Sequence, residues 1–155
     1  LIKSRMAEIG APLGGEMTGH ICFADSYFGF DDALYAAIRL IVATVRLGRS
    51  VTALRSAMPE SVNTPELRFP VAEERKFAVI ADVMERLRQS GATVETIDGA
   101  RVTTPDGWWL LRASNTQAAL TARAESDDAD GLARLLDAID AQLAASGVAR
   151  EAGLP

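Results

Sequence analysis

The stretch IDGARVTTPDGWWLLRASNT, residues 97–116, decides the fold class. Two Asp-Gly pairs, Asp98-Gly99 and Asp106-Gly107, separate three runs of strand character: Thr93–Ile97, Ala100–Thr104 and Trp108–Arg112. Asp-Gly is a strong hairpin signal because glycine takes positive φ without steric cost. Hairpins join antiparallel neighbours, so the stretch predicts an antiparallel sheet. Downstream, Leu120, Ala122 and Ala124 alternate with Thr121, Arg123 and Glu125, which describes a further strand with one polar face. Of the adjacent Trp108 and Trp109, one is expected in the core and the other over an interface.

Helical patterns flank these strands. Glu73 and Glu74 open one whose Phe77, Ile80, Met84 and Leu87 form a stripe ending at Gly91, with Glu73-Glu74-Arg75-Lys76 as a solvated first turn. A second helix, from about Ala129 to Ser146, carries Leu132, Leu135, Leu136, Ile139 and Leu143. Val62 to Val71 is extended, interrupted by Pro65 and closed by Pro70, which places it at a sheet edge. This succession of strand and helix patterns predicts an α+β domain with a four-stranded, mainly antiparallel sheet and two helices on one face.

The first third has a different character. Residues 1–10 read as the end of an amphipathic helix, with Ile2, Met6 and Ile9 on one face and Gly10 as its stop. Leu13 to Phe23 reads as two short strands around a glycine loop. Asp31 and Asp32 then start a helix with Leu34, Ile38, Ile41 and Val45 aligned, ended by Gly48. Ser50 to Met58 reads as one more short helix before Pro59. The predicted organisation is residues 1–48, a hinge at 49–60, a second domain at 61–148, and a tail at 149–155. The chain opens at Leu1 inside a helical pattern, without Met or a capping residue, and is therefore expected to be a fragment.

Composition narrows the class. Hydrophobic residues make up 48% of 155, enough for a packed core. A net charge of −5, with both signs intermixed, argues against nucleic acid as a partner. The longest apolar stretch, Leu34 to Leu47, is broken by Arg39 and Arg46 and is too short to span a bilayer, so no membrane is expected. One cysteine, Cys22, and one histidine, His20, leave little for a transition-metal site, and the lone thiol suits a reducing cytosol.

Two polar stretches carry chemistry. GGEMTGH, residues 14–20, sets a carboxylate, a hydroxyl and an imidazole (Glu16, Thr18 and His20) between glycines. Gly14 and Gly19 have phosphate-loop spacing, yet His20 and Ile21 stand where lysine and a hydroxyl are needed, so that reading fails. What remains is either a hairpin with ordinary surface groups or a loop offering hydrogen bonds to sugar hydroxyls and a proton carrier near neutral pH. RASNT, residues 112–116, combines the planar fork of Arg112 with small donors Ser114, Asn115 and Thr116. It is either a polar turn or an anion-binding nest. Asp31 and Asp32 read as helix-start residues.

GGEMTGH, then FGFDDALYAAIRL, NTPELRFP, EERK and IDGARVTTPDGWWLLRASNTQ, resembles the C-terminal third of bacterial phosphomannomutase/phosphoglucomutases of the α-D-phosphohexomutase family. The resemblance runs from Leu1 to about Val148. It implies that residues 1–48 end an α/β/α sugar-recognition domain, and that residues 61–148 form a TBP-like domain for the substrate phosphate. It further implies interconversion of mannose and glucose 1- and 6-phosphates through a phosphoserine and a bisphosphorylated sugar. Glu16 and Thr18 (in place of the family's usual serine) would hold sugar hydroxyls, and His20 would be a general acid or base. Arg112, Ser114, Asn115 and Thr116 would bind the phosphate not being transferred, with the hinge closing on substrate. The phosphoserine loop and the Mg2+ loop of the family do not occur here. The fragment is thus expected to be inactive alone, to need the missing N-terminal domains as partners, and to rely on Mg2+ and a glucose 1,6-bisphosphate-type activator only within a complete, cytoplasmic enzyme. The alternative is a free-standing module that senses an anionic metabolite through RASNT.

Overall fold

A computed structural model describes residues 2–16 and 18–149. The expected tail at 149–155 lies outside the described residues from position 150 onward. The chain divides into two compact units, Leu1–Pro59 and Glu60–Pro155.

The first unit contains α1 (Ile2–Ile9), a hairpin of β1 (Leu13–Gly15) and β2 (Ile21–Phe23), α2 (Ala33–Leu47) and the short α3 (Val51–Arg55). β1 and β2 pair antiparallel, Leu13 opposite Phe23 and Gly15 opposite Ile21. Asp32 caps α2 by accepting from the Tyr35 N–H at 2.9 Å, and Gly48 ends it in the left-handed conformation. The helix forms where its pattern places it, but its apolar stripe is not covered. Leu34 is 73% exposed and Val45 75%, and no α2 residue is buried. The described part of this unit has only a two-stranded sheet, too little surface to bury a second helix face. Likewise Met6 is buried and Ile9 is exposed.

The second unit holds the main core. Its elements are β3 (Val62–Asn63), β4 (Leu67–Pro70), α4 (Lys76–Gln89), β5 (Thr93–Glu95), β6 (Ala100–Thr104), β7 (Gly107–Ala113), β8 (Ala119–Ser126) and α5 (Ala129–Ala145). β5 to β8 form an antiparallel meander, and both pieces of the extended segment pair with β8, bringing the sheet to six strands. Pro65 splits that segment, because proline has no N–H for the ladder. Register aligns Val102, Trp109 and Ala124, and likewise Ala100, Leu111 and Ala122. These residues face α4 and α5 and form the core with Phe69, Val83, Leu120, Leu135 and Ile139. Trp109 is buried in it, while Trp108 lies on the opposite face with the Arg101 guanidinium 4.7 Å from its ring.

The buried stripe of α4 differs from the expected one. Lys76, Val79, Ile80, Val83 and Leu87 face the core, whereas Phe77 is exposed. The turn before the helix is therefore not wholly solvated, since Lys76 is buried. β-branched residues at 79 and 83 fit the sheet more closely than the larger Phe77, and the stripe rotates by one position to use them.

Candidate functional site

The GGEMTGH loop joins β1 to β2. Hairpin geometry brings Glu16 and His20 together: the Glu16 N–H donates to the His20 carbonyl at 3.0 Å, and the Gly19 N–H to the Glu16 carbonyl at 3.1 Å. Thr18 Oγ1 donates to Glu16 Oε1 at 2.6 Å. His20 Nε2 lies 3.8 Å from the same carboxylate oxygen. All three candidate side chains are exposed and converge on one loop. Gly14 packs against α1: a Cβ there would sit 2.5 Å from Met6 Sδ, so the Met6 side chain would have to shift to admit one.

A fourth residue completes this cluster, and sequence reading assigned it elsewhere. Asp31 does not belong to α2. It bridges to Cys22 of β2, places Oδ2 2.5 Å from His20 Nδ1, and accepts from the Ile21 N–H at 3.2 Å through Oδ1. The hydrogen bond to Asp31, then its charge, raises the His20 pKa above the ordinary value, with Glu16 adding a smaller contribution. Asp31 thereby orients the ring and leaves Nε2 toward the loop. The segment carrying Asp31 is anchored on both sides: Tyr27 donates to Asp32 at 2.6 Å, and Arg39 grips Asp25 through both terminal nitrogens at 2.9 and 2.8 Å. A cleft of about 290 Å³ is lined by Ile2, Lys3, Glu16, His20, Cys22 and Asp31.

The RASNT residues span the end of β7 and the turn into β8. The Arg112 guanidinium contacts Asp98 Oδ2 at 3.2 Å, from the hairpin between β5 and β6. Ser114 is buried and its Oγ accepts from the Thr116 N–H at 3.4 Å, while Asn115 and Thr116 are exposed. The Ser114 N–H donates to the Ala119 carbonyl at 2.9 Å, closing the turn. Lys76 reaches under this turn from the start of α4, a residue sequence reading left in solvent. Among the described residues no three His, Cys, Asp or Glu side chains converge to hold a metal ion, and no helix is long and apolar enough to cross a membrane.

The second unit is thus an antiparallel sheet with two helices over it, and the first is a hairpin-and-helix unit carrying a carboxylate–imidazole loop. Residues 66–142 match the family described as phosphoglucomutase/phosphomannomutase, C-terminal domain, and residues 1–62 match phosphoglucomutase/phosphomannomutase, alpha/beta/alpha domain III. The chain belongs to the phosphoglucomutase/phosphomannomutase family. It is 41% identical over 145 residues to a phosphomannomutase/phosphoglucomutase of Pseudomonas aeruginosa, covering 94% of this chain and 31% of that protein. A phosphoglucomutase of Neisseria meningitidis is 40% identical over 136 residues, covering 86% of this chain and 29% of that protein. A crystal structure of a phosphoglucomutase/phosphomannomutase family protein from Burkholderia thailandensis superimposes with a TM-score of 0.80 at 37% identity, covering 99% of this chain and 31% of that one. The chain thus spans about a third of the length of these relatives.

Proposed function

We propose that this chain supplies sugar and phosphate recognition to a phosphohexomutase that interconverts the 1- and 6-phosphates of mannose and glucose in the cytoplasm. In this reading Glu16 and Thr18 bind ring hydroxyls, and Arg112, Ser114, Asn115 and Thr116 bind the phosphate that is not being transferred. The observation that carries it is the closed 114–119 turn, with exposed small donors behind an arginine, lying inside a span matched to the family's C-terminal domain.

Phosphoryl transfer depends mainly on placement and charge. In each half-reaction a serine–phosphate P–O bond breaks as a sugar-oxygen–phosphorus bond forms, or the reverse. In the first case the sugar hydroxyl gives up its proton and the leaving serine oxygen takes one up; in the second the two exchange roles. His20, held by Asp31, keeps a proton to higher pH than a free histidine and can hand it over at Nε2. A bisphosphorylated sugar presents a phosphate at either end, so one turn at 112–116 serves both orientations. Among the described residues no carboxylate, imidazole or thiolate cluster stands ready to hold a metal ion.

A coupled mutase assay on the complete gene product tests the proposal. Arg112→Ala should weaken apparent substrate affinity by about 1.5–3 kcal/mol, the range for a lost charge-assisted hydrogen bond. Unaltered kinetics in that variant would remove Arg112 from the substrate site.

A further inference from the structure

Lys76 is 2% exposed, and lysine rarely reaches such burial without a full set of partners. Its ammonium donates to the Ser114 carbonyl at 2.7 Å and the Gln117 carbonyl at 3.2 Å, and pairs with Glu73 Oε1 at 2.6 Å. Three N–H donors thus meet three acceptors. Helix stability does not account for the arrangement. Lys76 is the first residue of α4, where the peptide dipoles favour an anion, and Arg75 before it makes no side-chain capping bond.

Two of the three acceptors bracket the RASNT turn. All peptides here are trans, so the carbonyl of one residue and the N–H of the next point in opposite directions. With the carbonyls of Ser114 and Gln117 drawn inward to the ammonium, the N–H groups of Asn115 and Ala118 are turned outward. Both residues are exposed, and neither N–H has an acceptor among the described residues. We propose that Lys76 is a positioning residue that fixes loop 114–118 as an anion cradle, with the backbone amides of Asn115 and Ala118 as its phosphate donors. Because Glu73 balances the ammonium's charge, Lys76 acts on the cradle through the geometry it imposes, without touching the ligand. The inference rests on the phosphate reading of residues 112–116.

The test is an NMR titration of the chain with inorganic phosphate, using wild type, Lys76→Met, Lys76→Arg and Arg112→Ala. In wild type the Asn115 and Ala118 amides should move most. Lys76→Met should shift the 114–118 amides before any ligand is added and weaken phosphate binding by about tenfold or more, with Lys76→Arg recovering part of the loss. Arg112→Ala should lose affinity with the free-state loop amides in place. A folded Lys76→Met with unmoved loop amides and affinity within about twofold of wild type overturns the inference. If Lys76→Met does not fold, the Lys76 ammonium resonance of wild type decides: it should exchange slowly and shift on phosphate addition, and an unchanged resonance at saturation rejects the cradle. Phosphate shifts at Arg112 with Asn115 and Ala118 unmoved overturn the role of Lys76 and leave the phosphate reading standing. A wild-type loop with no response at all overturns that reading and the cradle together.

Discussion

His20 is the only imidazole of the chain, so its titration can be followed without overlap. Asp31 raises its pKa above the ordinary 6.5. Asp31→Asn removes both the charge and the strong acceptor, and the His20 pKa should fall; a value unchanged from wild type would separate the two residues. The sign for stability follows from linkage. A proton held more tightly in the folded state contributes stability fully below the unfolded value of 6.5, and that contribution is lost as pH rises through the higher folded value. The variant should therefore show less of this pH dependence. Thr121 is a second residue-scale case. It lies between Arg68 and Arg112 in register, and its Oγ1 is buried without a hydrogen-bond partner among the described residues. Thr121→Val exchanges that hydroxyl for a methyl of similar shape and should be neutral or stabilising, up to about 1 kcal/mol by thermal unfolding. A clear loss of stability would mean the hydroxyl has a partner in solution.

Hairpins and helix faces fix where the candidate groups stand. Gly99, at φ +81, turns the chain so closely over β7 that a Cβ would lie 2.4 Å from the Leu111 carbonyl oxygen and 2.6 Å from Arg112 Cβ. Gly99→Ala should cost roughly 2–4 kcal/mol in chemical denaturation, from both the strained backbone and the clash. It should also displace Asp98 from Arg112. A loss below about 0.5 kcal/mol would show that the turn relaxes freely. The Asp-Gly pairs were legible because turn chemistry is local. The facing of α4 was not: Phe77 and Lys76 are neighbours about 100° apart around the helix. Apolar periodicity favours Phe77, while three acceptors supplied by Glu73 and a distant loop bury Lys76.

Across the whole molecule, burial is uneven. The contiguous core belongs to the second unit, whereas the first contributes buried Met6 and Cys22, with α2 largely uncovered. Local opening should follow that difference. In hydrogen exchange on this chain, amides of β7 and β8 should be the most protected and those of α2 should exchange far sooner. Equal protection of α2 and β8 would show that the α2 stripe is covered in solution.

The sequence by itself determined the antiparallel meander, the two helices over it and the two polar loops with their residues Glu16, Thr18, His20 and Arg112 to Thr116. Each depends on turn chemistry, on periodicity or on a contiguous motif. Only the tertiary structure decided that Asp31 partners His20, that Lys76 rather than Phe77 turns inward, and that the α2 stripe stays exposed in the described unit. Those outcomes depend on groups far apart in the chain. A hydrogen bond over eleven positions, or a lysine meeting carbonyls about forty residues away, leaves no local pattern to read.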